Sequence, residues 1–252
     1  MQDRNNVKTF PLGTEPFPFR KQILFLGLGW LGFQVIASMI QIVAGTIFAY
    51  ATGVSLNEAL RQLSVQMLVN ATAYIALLAT LLLIANKDIL KITKSFKQWQ
   101  SYLAGVVCFA SIIAFNIVYG TIISVLKTPV SDNANQVALE TMDSVYPFVS
   151  MVVFGFIGPI CEELTYRVGL FSLIRRKNRF LAYGLTIVIF ALIHFNFSTD
   201  ANTLINELLN LPYYMFAAFA FSFTYEHFGF AGSVTGHIIN NVFSLAMVAY
   251  IH

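Results

Sequence analysis

The stretch "YPFVSMVVFGFIGPICEELTYRVGLF", residues 146–171, is an apolar run that carries two glutamates and an arginine. The charged residues are Glu162, Glu163 and Arg167. The run is long enough to cross a bilayer, since about 20 apolar residues span the hydrocarbon core. Charged side chains at that depth are costly and usually functional. The stretch therefore predicts a membrane helix that contributes to a functional site.

The rest of the chain has a similar character. Its 252 residues are 57% hydrophobic and 11% charged, and the mean hydropathy is +0.70. Soluble domains carry roughly 25% charged residues, so this chain has too little charge to cover a surface that faces water. Seven apolar spans are predicted, at residues 22–50, 64–85, 102–126, 145–174, 180–198, 206–226 and 230–251. The composition therefore predicts an all-α polytopic membrane bundle of seven to eight transmembrane helices, with short interfacial helices in the connections.

The basic residues predict an orientation. Twelve of the fifteen Lys and Arg residues fall at one end of the predicted helices. They are Arg4, Lys8, Arg20, Lys21, Lys87, Lys91, Lys94, Lys97, Arg175, Arg176, Lys177 and Arg179. The positive-inside rule puts this end in the cytoplasm, together with the N-terminus, so we expect a multi-pass protein of a cell membrane, bacterial in type. The clusters indicate contacts with lipid head groups and give no sign of a nucleic-acid partner.

Acidic residues follow the opposite pattern. Six of them are expected in the loops at the other end: Glu58, Asp132, Glu140, Asp143, Asp200 and Glu207. Glu226 and His227 lie in the predicted cytoplasmic turn "YEHFGF", where we interpret them as solvated loop residues.

One motif is misleading. "GLGWLG", residues 27–32, matches the GxGxxG pattern of dinucleotide-binding proteins. That fingerprint requires a preceding strand and a βαβ unit, whereas these glycines lie inside the first apolar span. We therefore interpret them as small residues that let two helices approach closely.

The charged residues of the opening stretch divide into two groups. Glu163 and Arg167 are four residues apart, so on a helix they share a face and can neutralise each other. Glu162 lies about 100° round the helix from Glu163 and has no such partner. A buried ionic lock between helices is the alternative explanation of all three residues.

Other buried polar residues favour a catalytic site. "FALIH" places Phe190 and His194 in the fifth span, and "HIINN" places His237 and Asn241 in the seventh. At 1.5 Å per residue, Glu162, His194 and His237 lie roughly 18, 20 and 10 Å from the cytoplasmic ends of their helices. A carboxylate near a histidine can hold and deprotonate a water molecule. Zinc bound by Glu162, His194 and His237 is the alternative, although the sequence has no HExxH motif, and we expect no cofactor.

The three motifs EExxxR, FxxxH and HxxxN occur in order on separate predicted helices. With them the chain resembles the CAAX prenyl protease type II and bacteriocin-processing family of intramembrane proteases, also called the CPBP or Abi family. The resemblance covers roughly residues 145–250. It implies a variable N-terminal transmembrane region of about three helices at residues 1–140 and a catalytic helical core at residues 141–252.

The resemblance also implies a role for each motif residue. Four are implied to be catalytic: Glu162, His194, His237 and Asn241. Three are implied to be supporting: Glu163, Arg167 and Phe190. Glu162 and His194 would hold and activate the water, and His237 and Asn241 would form the oxyanion hole.

The expected substrate is a peptide or protein at the membrane, and the expected surroundings are membrane lipids. Bacterial members of the family are linked to bacteriocin processing, bacteriocin self-immunity and the maturation of secreted signalling peptides. The alternative function is a non-catalytic immunity or scaffold protein that binds a peptide or a sensor kinase. A transporter is a weaker third hypothesis.

Overall fold

The computed structural model describes residues 17–128, 130–197 and 200–251. Within these ranges all regular secondary structure is helical, which confirms the predicted all-α class. Arg4 and Lys8, which contribute to the orientation predicted from the basic residues, lie outside the described residues.

The helices follow the predicted spans closely. They are α1 (Phe19–Thr52), α2 (Leu56–Arg61), α3 (Leu63–Ala85), α4 (Ile89–Thr93), α5 (Trp99–Val125), α6 (Ala134–Val145), α7 (Pro147–Arg175), α8 (Arg179–Leu192), α9 (201–228) and α10 (230–251). The short α4 (Ile89–Thr93) and α6 (Ala134–Val145) lie in connections between the spans, where short interfacial helices are predicted. One boundary was predicted wrongly, because α8 ends at Leu192 instead of continuing to residue 198. His194 therefore lies in a turn beyond the helix and not within the fifth span.

Several helices have the dimensions of membrane spans. Among the described residues, four helical stretches are long and apolar enough to cross a bilayer: Phe19–Thr52, Leu63–Lys97, Trp99–Val125 and Pro147–Arg175. Large apolar side chains such as Met39, Ile47 and Ile117 are exposed on the outside of the bundle. Contiguous apolar exposure of this kind marks a surface that contacts lipid or another protein. The fold is that of a polytopic membrane bundle.

Two sets of contacts organise the bundle around α7. The first half of α1 packs along the second half of α7, and α9 and α10 pack against α5, α7 and α8. At Gly29 a Cβ atom would overlap the side chain of Thr165 on α7. This contact confirms the interpretation of "GLGWLG" as a helix-packing segment, with Gly29 as the residue that allows the approach.

Two acidic residues expected in loops are buried instead. Asp143 and Glu207 are 3% and 2% exposed, Asp143 on α6 and Glu207 on α9. The prediction was wrong for Glu207 because its carboxylate packs against the start of α6 and the turn after α8, where it accepts hydrogen bonds from Ala134 N and Asn196 N.

Glu226, near the turn between α9 and α10, is buried, although it was predicted to be a solvated loop residue. Its side chain is 2% exposed and accepts hydrogen bonds from Arg175 Nε at 2.5 Å, Arg179 Nε at 3.0 Å and Tyr183 Oη at 2.5 Å. Both arginines also form ion pairs with this carboxylate. Glu226 therefore joins the ends of α7, α8 and α9 and is not a solvated loop residue, whereas His227 remains partly exposed.

The same turn depends on Gly229. Its backbone has φ 77° and ψ −176°, a conformation that is essentially restricted to glycine. We expect Gly229→Ala to lower the free energy of unfolding by about 1–3 kcal/mol. Gly184→Ala on α8 is a matched control, because a Cβ atom there meets no neighbouring atom within 4 Å. SDS titration in mixed micelles measures both variants, and equal stability of the two would contradict this prediction.

Candidate active site

The backbone of α7 is wider than an α-helix in two places. Met151–Ile157 and Glu163–Phe171 are π-helical, and Gly158–Glu162 between them is α-helical. π-helical segments often occur at functional sites, because they shift the side chains that follow them. Glu162 and Glu163 stand at the junction between the α-helical turn and the second π segment.

Pro159 explains why Asn241 is drawn to this helix. In the first π segment the Gly158 N–H donates to the Val153 carbonyl, so the next donor in the pattern would be residue 159 to Phe154. Proline has no N–H, and it leaves the Phe154 carbonyl without that donor. Asn241 on α10 supplies the missing hydrogen bond, with Nδ2 donating to the Phe154 carbonyl at 3.0 Å. One of the two N–H bonds of this amide is therefore already used.

Glu163 is the centre of a buried ionic network. Its side chain is fully buried, and its Oε1 lies 3.2 Å from Arg167 Nη1 and 2.9 Å from His237 Nδ1. The ion pair with Arg167 is the one that the four-residue spacing predicts. A carboxylate can only accept, so His237 Nδ1 carries a proton and donates to Glu163. The contact fixes the orientation of the ring and turns Nε2 away from Glu163.

Phe190 supports this network through its ring. The guanidinium of Arg167 is 4.5 Å from the centre of the Phe190 ring and 5.3 Å from that of Phe221. Arg167 Nη2 also donates to the Ala218 carbonyl at 3.4 Å. The aromatic faces attract the cation, and they replace water around a side chain that is fully buried.

Glu162 occupies a different environment from Glu163. Its side chain is 18% exposed, and its Oε2 lies 3.6 Å from His237 Nε2. As predicted, it takes no part in the pair between Glu163 and Arg167. The structure adds a neighbour that the sequence did not indicate, since His237 stands between the two glutamates.

His194 enters the site from the turn after α8. Its Nδ1 is 2.8 Å from the Phe190 carbonyl, to which it must donate. In the neutral ring Nε2 is then the unprotonated nitrogen, available to accept a proton or a hydrogen bond. The ring also stacks on Tyr214, with 4.7 Å between ring centres and 16° between planes.

A single cavity contains all four residues that the resemblance implies to be catalytic. It has a volume of about 240 Å³. Glu162, His194, His237 and Asn241 line it, together with residues from α3, α6 and α9. The structure thus brings together side chains that are up to 79 positions apart, from Glu162 to Asn241.

Some lining residues were missed at the level of sequence. Tyr74, Gln136 and Tyr214 line the cavity from α3, α6 and α9. An aromatic residue inside an apolar span gives no signal by itself. The polar connection that forms α6 could have been recognised only from its amphipathic pattern.

The described residues do not provide an obvious metal centre. Within residues 17–128, 130–197 and 200–251, no three His, Cys, Asp or Glu side chains are grouped so that they could hold a metal ion. Glu162, His194 and His237 all line the cavity of about 240 Å³.

Comparison with known proteins gives two matches. Residues 144–243 match the model of a family described as type II CAAX prenyl endopeptidase Rce1-like. An uncharacterized protein of Mycoplasma capricolum subsp. capricolum is 25% identical over 170 residues, which cover 63% of this chain and 48% of that protein. The chain thus aligns with about half the length of this relative. No solved structure matches this chain.

The matched segment contains all three motifs and the α7, α8 and α10 side chains that line the cavity. The resemblance drawn from the motifs is confirmed. The segment that builds the cavity, residues 144–243, is similar to the Rce1-like family of type II CAAX prenyl endopeptidases.

Proposed function

We propose that the protein is an intramembrane endopeptidase that hydrolyses a peptide bond in a membrane-associated peptide or protein. The observation that carries this proposal is the shared cavity, in which Glu162 faces two histidines whose Nδ1 atoms are bound elsewhere. Both imidazoles therefore present Nε2 to the same space. The match to a protease family over these residues supports the same reaction class.

The proposed reaction begins with a water molecule held by Glu162 and His194. The Glu162 carboxylate takes a proton from this water, and the oxygen attacks the carbonyl carbon of the scissile bond. The carbon–nitrogen bond then breaks, and the proton on Glu162 passes to the leaving amine. A free carboxyl group and a free amine result, without a covalent enzyme intermediate.

The negative charge on the carbonyl oxygen needs donors during the attack. His237 serves this role when its ring carries both protons, since Nδ1–H is occupied by Glu163 and Nε2–H points into the cavity. Asn241 has a second N–H besides the one given to Phe154. Glu163 and Arg167 act by holding His237, and Phe190 by packing under Arg167.

A second cavity provides a route for the substrate. It has a volume of about 880 Å³ and lies between α5, α6, α9 and α10. Five residues line both cavities: Gln136, Tyr214, Ala217, Asn240 and Ser244. We propose that an extended substrate segment lies in this groove and reaches Glu162 through the shared wall.

The groove predicts a specific defect in binding. Ala217→Phe would fill the junction of the two cavities and hinder binding of the segment. We expect it to raise KM roughly tenfold, a loss of about 1.4 kcal/mol in binding, with a smaller change in kcat. Ala110→Phe, at an exposed position of α5, is the matched control. Steady-state kinetics on a cleaved peptide measures both values. A fall in kcat at unchanged KM would place the substrate elsewhere.

The orientation and biological setting are part of the proposal. We place the basic end of the bundle in the cytoplasm of a bacterial cell, so the groove faces the outer half of the membrane. Maturation of a bacteriocin or of a secreted signalling peptide, or self-immunity against a bacteriocin, would each use such an enzyme.

The test is cleavage of a library of short membrane peptides by the purified protein, with and without a chelator. Wild type is compared with Glu162→Gln, and Glu58→Gln is the control because Glu58 is an exposed residue of the α2 cap. Cleavage by wild type and Glu58→Gln alone supports the endopeptidase, and loss of activity with the chelator would indicate a metal. Equal cleavage by Glu162→Gln would overturn the assignment. Immunity or partner binding that survives Glu162→Gln would favour the scaffold.

A further inference from the structure

The turn that carries His194 is held by residues outside α8. Because α8 ends at Leu192, the His194 N–H reaches only the Ala191 carbonyl, at 3.2 Å, in a closing turn. Its carbonyl accepts a hydrogen bond from Asn133 Nδ2 at 3.0 Å. Asn133 is 3% exposed and caps the N-terminus of α6, a helix outside all three motifs.

The amide of Asn133 is fully engaged. Its Oδ1 accepts from Gln136 N at 2.9 Å and from Tyr214 Oη at 2.9 Å. Its Nδ2 donates to the His194 carbonyl and to Glu207 Oε2, the latter at 3.5 Å. A side-chain amide has two donor and two acceptor positions, and all four are used here. The opposite orientation of the amide would place its N–H groups against the Gln136 N–H, so the contacts fix the direction in which it points.

Glu207 holds both sides of this contact. Its Oε1 accepts from Ala134 N at 2.9 Å, and its Oε2 accepts from Asn196 N at 3.1 Å. Ala134 is the first residue of α6, where a negative charge is stabilised by the helix dipole. Asn196 lies two residues after His194. One buried carboxylate therefore ties the start of α6 to the turn that carries His194.

Tyr214 connects the same network to the His194 ring. Its hydroxyl donates to Asn133 Oδ1, and its ring stacks on the imidazole. The ring of His194 is thus held by Tyr214 on one face and by the Phe190 carbonyl at Nδ1, while its backbone is held by Asn133.

We propose that Asn133 is a positioning residue for His194, and that Glu207 and Tyr214 hold its amide in place. Its importance for turnover rests on the proposed function, in which His194 Nε2 holds the reacting water. The effect of Asn133 on the position of His194 does not depend on any reaction, because it acts through the hydrogen bond to the His194 carbonyl.

The experiment uses the full chain in detergent, labelled with ¹⁵N-histidine. Wild-type His194 is expected to give the signal of a neutral ring protonated at Nδ1, identified by its loss in His194→Gln. In Asn133→Ala we expect this signal to shift or broaden while the His237 signal stays in place. Peptide hydrolysis should fall about 10²-fold, the size that a misplacement of about 1 Å can cause, with KM little changed.

Asn206→Ala is the matched control. Asn206 bonds the same connection, through Ser131 N at 2.9 Å and the Asp132 carbonyl at 3.3 Å, but it does not contact His194 or Asn133 in the described network. It should leave both the His194 signal and turnover unchanged. If Asn133→Ala loses the His237 signal as well, the variant has unfolded, and Tyr214→Phe, which removes one hydroxyl and keeps the stacked ring, is judged by the same criterion.

The results separate the two proposals. An unchanged His194 signal in a folded Asn133→Ala or Tyr214→Phe protein would overturn the positioning role, whatever the activity. Absence of cleavage in wild type, with the His194 signal displaced in Asn133→Ala, would count against the endopeptidase and support the positioning role.

Discussion

Glu162→Gln is expected to lower kcat for peptide hydrolysis by about 10³-fold, within the 10²–10⁴ range for loss of a general base. The glutamine keeps the size of the side chain and its place in the cavity, but its amide cannot take a proton from water. KM should change little, because Glu162 acts on the water and not on the bound segment. The measurement is kcat and KM on a peptide that wild type cleaves.

The pair of Glu162 and His194 predicts a further result for the same assay. If both side chains act on one water molecule, the double variant Glu162→Gln/His194→Gln should be about as slow as either single variant, since residues that act as a unit give non-additive effects. Losses that multiply would show that the two residues act independently. A Glu162→Gln protein within tenfold of wild-type kcat would remove Glu162 from the role of base.

Much of the fold follows from the distribution of apolar residues. Seven spans were predicted within a few residues of the observed helices, because each is an apolar run bounded by polar or basic residues. The exception is the end of α8. The apolar run extends past Leu192 through "IHFNF", so hydropathy continues where the backbone turns. The bonds that hold this turn come from Asn133 and Glu207, and no local pattern contains them.

Some contacts of the candidate site could also be predicted from the sequence, and others could not. The contact between Glu163 and Arg167 follows from helical spacing within one segment, so it was predictable. The approach of His237 to both glutamates depends on how α10 packs against α7, which spacing does not encode. Glu226 was misjudged for this reason, because Arg175 and Arg179, its partners, are 51 and 47 positions away.

The second large effect is expected on stability. Arg167→Met should lower the free energy of unfolding by about 3–5 kcal/mol, the usual cost of removing one partner from a buried ion pair. Both Arg167 and Glu163 are fully buried, so the variant leaves the Glu163 carboxylate without the guanidinium 3.2 Å away. Methionine still packs between Phe190 and Phe221, which limits the loss to the charge and its hydrogen bonds.

Unfolding by SDS in mixed micelles measures this loss. Arg61→Met is the matched control, because Arg61 is exposed, and surface changes are usually within about 0.5 kcal/mol. If the free energy of unfolding falls equally in both variants, the loss in Arg167→Met does not come from its buried ion pair with Glu163.

The double variant Glu163→Gln/Arg167→Met distinguishes charge from packing. It removes both charges, so we expect it to recover most of the stability lost in Arg167→Met, as replacement of whole buried pairs often does. Its turnover should remain low, because the negative charge next to Nδ1–H of His237 is gone while the oxyanion role requires a doubly protonated ring. A double variant no more stable than Arg167→Met would show that the arginine stabilises the bundle by its contacts with Phe190 and Ala218. Full activity in that double variant would show that His237 needs neither charge, and that Glu163 and Arg167 serve the fold alone.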